Sequence, residues 1–205
     1  LQLSPAQPKS LPDDAKTALL AILRRSERAA VLPSLDRLTA MLTLGKPRGG
    51  ERQVGSMGFT YRLLSRARKS FIVEWDESHA GFWDSAVRSS DALRAALYRS
   101  FRCELAVRRG LDAVQLLWDM TQFFDHIGWV EVMELALGTG WDPLLLALGL
   151  QAHLGPRVFV ADRHWSDWQV LFDSVVAGCG QAPSFSRLVL LNMLTAAHIQ
   201  HPEVA

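Results

Sequence analysis

The stretch Leu111–Leu150, LDAVQLLWDMTQFFDHIGWVEVMELALGTGWDPLLLALGL, decides how the chain is read. It is the most apolar part of the sequence, and its six charged side chains are all acidic. Leu111–Ile127 is expected to form one helix. Val114, Leu116, Leu117, Trp118, Thr121, Phe123 and Phe124 would spread over a wide arc of it, so that it is buried on more than one side. Gly128 ends it, Trp129–Leu137 forms the next helix, and Gly138-Thr139-Gly140 breaks the chain again. Asp142-Pro143 then supplies an N-cap and a proline at N1 for a helix over Leu144–His153, which Gly155-Pro156 ends.

Towards the N-terminus, residues 1–11 read as a flexible linker. Pro12-Asp13-Asp14 opens a helix with Leu19, Leu20, Ile22 and Leu23 on its apolar face. Pro33 starts a second, with Leu35, Leu38, Met41 and Leu42 at helical spacing and Gly45 as its stop. Lys46–Ser56, KPRGGERQVGS, reads as a loop because of its glycines and proline. Phe59, Leu63, Leu64 and Ala67 make a helical stripe. Ser70–Trp75 suits helix or strand and is read as helix. A short helix is expected from Asp76, carrying Phe82, Trp83 and Val87. Ser90 opens a longer one with Leu93, Ala96, Leu97, Phe101, Leu105 and Ala106 on one face, ending in Arg108-Arg109-Gly110.

Towards the C-terminus, Asp162–Ala177 and Pro183–Gln200 read as two more helices. The expected fold is therefore all-α, with about nine helices in a compact bundle or an irregular HEAT-like helical repeat. Residues 12–205 are expected to form a single domain, with a basic half over 12–110 and an acidic, apolar half over 111–205.

Composition supports one substantial core: the chain has 205 residues and is 49% apolar. It opens on Leu1, and a fragment or subunit of a larger complex is the expectation. No apolar run approaches the ~18 residues that a bilayer-spanning helix needs, and residues 1–10 lack the apolar core of a signal peptide. Cys103 and Cys179 stand far apart without a pairing pattern, which points to a reducing compartment, cytoplasmic or nuclear. The net charge of +1 hides an asymmetry: Leu1–Gly110 holds 19 Lys+Arg against 11 Asp+Glu (+8), and Leu111–Ala205 holds 3 against 10 (−7). Such a split suits an oriented electrostatic footprint or two faces with different partners.

Catalytic signatures are missing from the sequence: there is no G-x-S-x-G, P-loop or G-x-G-x-x-G. Gly138-Thr139-Gly140 follows a helix and precedes an acidic N-cap, so it reads as a helix stop. Asp119 and Asp125, and Glu131 and Glu134, are the carboxylate pairs that acid–base chemistry would use, but a solvated or partner-binding acidic face explains them as well. His79, His126, His153, His164, His198 and His201 are scattered. Only His198 and His201 share a helical face, at the chain end. No metal, cofactor or small-molecule substrate is expected, and the chain is read as a non-enzyme.

Two features suggest binding. Lys46, Arg48, Arg52, Arg62, Arg66, Arg68 and Lys69 form a basic block opposed only by Glu51 and interleaved with Phe59, Tyr61 and Phe71, a composition suited to nucleic acid or an acidic partner. Seven tryptophans are also present. Of these, Trp165, Trp168, Trp141 and Trp129 are the expected partner-binding anchors. Gly140-Trp141-Asp142, after Leu135–Leu137, resembles the Gly-Trp-Asp core of the second homology motif of Bcl-2 relatives. That likeness implies a helical bundle whose groove binds amphipathic helices. It covers three residues, and the family's Asn-Trp-Gly-Arg motif is not in the chain.

The functional expectation is a protein–protein scaffold or adaptor domain within a hetero-oligomeric complex. The alternatives are a nucleic-acid-associated module using residues 46–69 and the Bcl-2-like bundle.

Overall fold

The structure, a computed structural model, describes residues 10–47, 49–81, 84–86, 91–115 and 120–200. Arg48, Phe82, Trp83, Val87, Ser90, Leu116, Leu117, Trp118, Asp119, His201 and most of the expected linker lie outside these residues.

The described residues are not all-α. Seven α-helices accompany a four-stranded mixed sheet. In chain order the elements are α1 (Asp13–Ala29), β1 (Thr39–Gly45), β2 (Glu51–Ser56), α2 (Phe59–Ala67), α3 (Lys69–Ser78), α4 (Ala92–Arg108), α5 (Trp129–Gly138), α6 (Pro143–His153), β3 (Arg157–Ala161), β4 (His164–Trp165) and α7 (Ala182–Gln200). Short 3-10 turns at Ser34–Arg37 and Phe123–His126 complete the set. This corrects the nine-helix bundle, the HEAT-like repeat and the bundle implied by Gly140-Trp141-Asp142.

The sheet runs β2-β1-β3-β4. β1 and β2 form an antiparallel hairpin, Ala40 opposite Ser56 through Gly45 opposite Glu51. The expected helix after Pro33 is thus a 3-10 turn followed by a strand. Leu35, Leu38, Met41 and Leu42 fit a helical stripe, but from Thr39 onward the chain alternates instead. Thr39 and Met41 are buried, and Leu42 is exposed. The glycines of the expected loop turn the hairpin: Gly49 and Gly50 both have positive φ, and Lys46 N–H donates to Gly50 O. Gly55 lies against the 176–178 segment: its N–H donates to Ala177 O at 2.7 Å, and a Cβ there would fall on the Val176 side chain.

β1 also pairs in parallel with β3, Thr39 opposite Arg157 to Leu42 opposite Val160. The expected helix over Asp162–Ala177 is likewise absent. Asp162 and Arg163, both at positive φ, form the two-residue turn between β3 and β4, with Ala161 opposite His164. Asp-Arg lacks the glycine that usually announces such a turn.

Nor do the described residues of 111–127 form an α-helix. Residues 111–115 have no regular structure, and Leu111 and Val114 are exposed. Around the single 3-10 turn at Phe123–His126 the backbone pairs instead with residues 173–175. Val175 N–H donates to Phe124 O, and Ser174 N–H donates to Ile127 O.

Other readings match the structure. α5 and α6 lie where the glycines and Asp142-Pro143 place them, and Asp142 caps Leu145 N–H at 2.9 Å. The core gathers where α3, α5, α6 and α7 meet. Trp141 lies edge-on to Trp75 and close to Phe185, while Trp129 contacts Phe185 and His153.

A candidate anion-facing cleft

α2 is short, but its sequence sets two opposed faces. Tyr61 and Leu64 are buried, and Ile72 and Trp75 continue that buried side along α3. Arg62, Arg66 and Lys69, four and three residues apart, share the other face. Asp36 anchors the helix start by accepting from Thr60 N–H at 3.2 Å. Arg68 is turned away, since its guanidinium donates twice to Glu27 Oε1, at 2.9 and 2.8 Å.

Arg62, Arg66 and Lys69 line one cleft of about 560 Å³, together with the loop Gly178-Cys179-Gly180. Apolar groups, among them Met57, Phe59 and Ile72, contribute the rest of its wall. Its floor is closed by Tyr61 Oη and Cys179 Sγ, 3.2 Å apart. Burial pushes the Tyr61 hydroxyl well above its ordinary pKa and also raises the Cys179 thiol. Both are therefore neutral near pH 7, and Cys179 is not a thiolate nucleophile there. Gln181 Nε2 donates to Ser65 Oγ at 3.1 Å, fastening the loop to α2.

The acidic side of the cleft is already neutralised. Asp76 accepts from Ser184 Oγ at 3.0 Å and pairs with Arg187, which also pairs with Asp84. Burial works against the Arg187 charge, but the bonds and charges of Asp84 and Asp76 outweigh it and hold its pKa above the ordinary value. The other charged side chains that line the cleft, Arg62, Arg66 and Lys69, are cationic.

No protein-family model matches the chain, and no curated protein matches it. The cleft has to be interpreted from its own chemistry.

Of the expected basic block, Arg62, Arg66 and Lys69 converge here, whereas Lys46 and Arg52 are exposed on the β1–β2 hairpin. The expected tryptophan anchors separate into two kinds. Trp129 and Trp141 are core residues, 3% and 1% exposed, while Trp165 and Trp168 are 68% and 75% exposed. Burial withdraws the first two from any partner of this folded chain. Asp125 accepts from Ser174 Oγ at 3.2 Å, and Glu131 and Glu134 are exposed on α5. Among the described residues no group of three His, Cys, Asp or Glu side chains is arranged to hold a metal ion.

Three buried polar residues are central: Arg157 and Arg187, which sequence reading passed over, and His153, which it left among the scattered histidines, are 1%, 3% and 0% exposed. A signal existed for two of them. The C-terminal half has three cations, and Arg157 and Arg187 are two of these, each set in an apolar stretch.

His153 Nδ1 accepts from Val176 N–H at 2.9 Å, at the start of the segment that leads to Cys179. Burial, and secondarily the Arg157 charge, lower its pKa to about 3 from 6.5. The unfolded chain therefore binds a proton below pH 6.5 that the folded chain refuses until about pH 3, so stability falls as pH drops through that window. His153 should contribute a slope of at most ~1.4 kcal/mol per pH unit between these values. Urea titrations at pH 7.0, 6.0 and 5.0 should show that slope flattened in His153→Asn, whose amide oxygen can replace Nδ1. An equal pH dependence in both proteins would contradict the assignment.

Proposed function

We propose that the chain binds nucleic acid through the basic face of α2 and the start of α3. The observation that carries this reading is the convergence of Arg62, Arg66 and Lys69 on one cleft whose carboxylate, Asp76, is already paired. Cations on a helical face meet a phosphate backbone well, and an apolar wall that includes Phe59 suits an unstacked base. Lys46 and Arg52 on the exposed hairpin extend the cationic surface. The same reading places the chain in the cytoplasm or nucleus, with Cys103 and Cys179 as free thiols. Among the described residues, no helix is long and apolar enough to cross a membrane.

Fluorescence anisotropy with a labelled single-stranded oligonucleotide tests the proposal. Affinity should fall steeply with salt, and Arg66→Glu/Lys69→Glu, both at exposed positions, should weaken binding at least ~tenfold while lowering the salt slope by about 1.4. Salt-insensitive binding, or unchanged binding by the double variant, would exclude this face.

A second reading rests on Trp165 and Trp168, which with Phe172 leave three large aromatic side chains mostly exposed along 165–172. They suit the anchor of a protein–protein scaffold. Trp165→Ala/Trp168→Ala should then abolish a stoichiometric, nuclease-resistant complex recovered from native extract, with stability changed by less than ~0.5 kcal/mol. Retention of every partner by the double variant rules this reading out.

A further inference from the structure

α4 carries its amphipathic face the wrong way round for a helix packed on its own chain. None of its residues is buried. The positions half-shielded by the molecule are small, Ala95, Cys103 and Ala106, whereas Leu93, Leu97, Tyr98 and Phe101 are 61–70% exposed. These four line a shallow groove of about 380 Å³ along the helix, with Arg94 and the N-cap Asp91 completing its lining. From Ala92 to Arg108 the helix holds four arginines and one glutamate, Glu104, and that glutamate is paired with Arg108 at 3.0 Å. An exposed apolar stripe of this size flanked by cations is an interaction surface.

The complementary surface lies on the same chain's acidic half. α5 buries Trp129, Val132 and Ala136 on one side and exposes Val130 (66%), Leu137 (60%), Glu131 and Glu134 on the other. At 100° per residue, these four positions occupy one arc of the helix, two apolar groups bordered by two carboxylates. We propose that α4 of one copy docks on the Val130–Leu137 face of α5 of a second copy, with Arg94 and Arg102 opposite Glu131 and Glu134. The +8 and −7 halves of the chain then meet head to tail, in a heterologous contact whose charges steer its orientation.

Sedimentation equilibrium of the nuclease-treated full chain tests this, with flotation on anionic phosphatidylserine vesicles as a parallel arm. The wild-type chain should self-associate reversibly, and both Phe101→Asp and Arg94→Glu/Arg102→Glu should weaken association at least ~tenfold. Mixing Arg94→Glu/Arg102→Glu with Glu131→Lys/Glu134→Lys should restore association to within ~threefold of wild type, because the exchanged charges again match. A chain that stays monomeric at ~100 μM, far above the range of a specific interface, overturns the proposal. Association that survives Phe101→Asp does so too, as does a charge-swapped pair that fails to re-associate. Vesicle binding without self-association would assign α4 to a lipid surface instead.

Discussion

The guanidinium of Arg157, buried at the start of β3, joins three segments that otherwise have little reason to meet. It donates to His153 O at the end of α6 (3.0 Å) and to Ser174 O and Ser174 Oγ (2.9 Å each). The backbone of the same residue pairs with Gln169 on one side and lies opposite Thr39 of β1 on the other. Taking a guanidinium out of water costs several kcal/mol unless its donors are satisfied. Here Nη1 and Nη2 are satisfied, while the buried Nε has no hydrogen-bond partner among the described residues. The acceptors include a carbonyl at the C-terminal end of a helix, where the helix dipole favours a cation. Burial lowers the Arg157 pKa, and the Asp125 carboxylate offsets part of that. Ser174 sits at φ 96, a left-handed backbone that costs a non-glycine residue about 1–3 kcal/mol. Its carbonyl and hydroxyl both serve Arg157, and this is what makes that conformation tenable.

From this junction the rest of the architecture follows. Ser174 and Val175 pair with Ile127 and Phe124, and Val176 N–H bonds to His153 Nδ1. The chain then passes Gly55 and Gly178 at close quarters and delivers Cys179 to the floor of the cleft and Ala182 to the start of α7. The cleft is therefore a product of the sheet's closure rather than of α2 alone. Its cations come from a helix that local sequence specifies, but its loop wall is placed by Arg157 and His153. Asp76 and Asp84, the carboxylates on this side of the cleft among the described residues, are paired with Arg187.

How much of this was legible depended on whether the deciding interactions were local. Asp142-Pro143 announces α6 because the N-cap bond and the fixed φ of proline act within one turn. The basic block of Arg62, Arg66, Arg68 and Lys69 is likewise visible in the sequence, but that Arg68 leaves it for Glu27, 41 residues away, is not. The sheet was not visible in this way. Leu38, Met41 and Leu42 fit the helical period, and what selects the strand is pairing with Arg157–Val160, more than 100 residues away. The acidic, apolar stretch 111–127 suggested a doubly buried helix, but part of it is consumed in pairing with 173–175 and Leu111 and Val114 face solvent. Tryptophan count could not separate core from surface either: Trp129 is fixed by a bond from Nε1 to Ser174 O at 3.2 Å, whereas Trp165 and Trp168 stand free of the core.

The central claim is that β1 and β3, remote in sequence, form one sheet through the Arg157 junction while 111–115 stays outside any helix. Residue-resolved amide hydrogen exchange tests it most directly. The account predicts slow, cooperative exchange for the paired amides of 39–45 and 157–161 and rapid exchange across 111–115. Continuous protection from 111 to 127, with free exchange over 39–45, would contradict it and restore a helical reading of the chain.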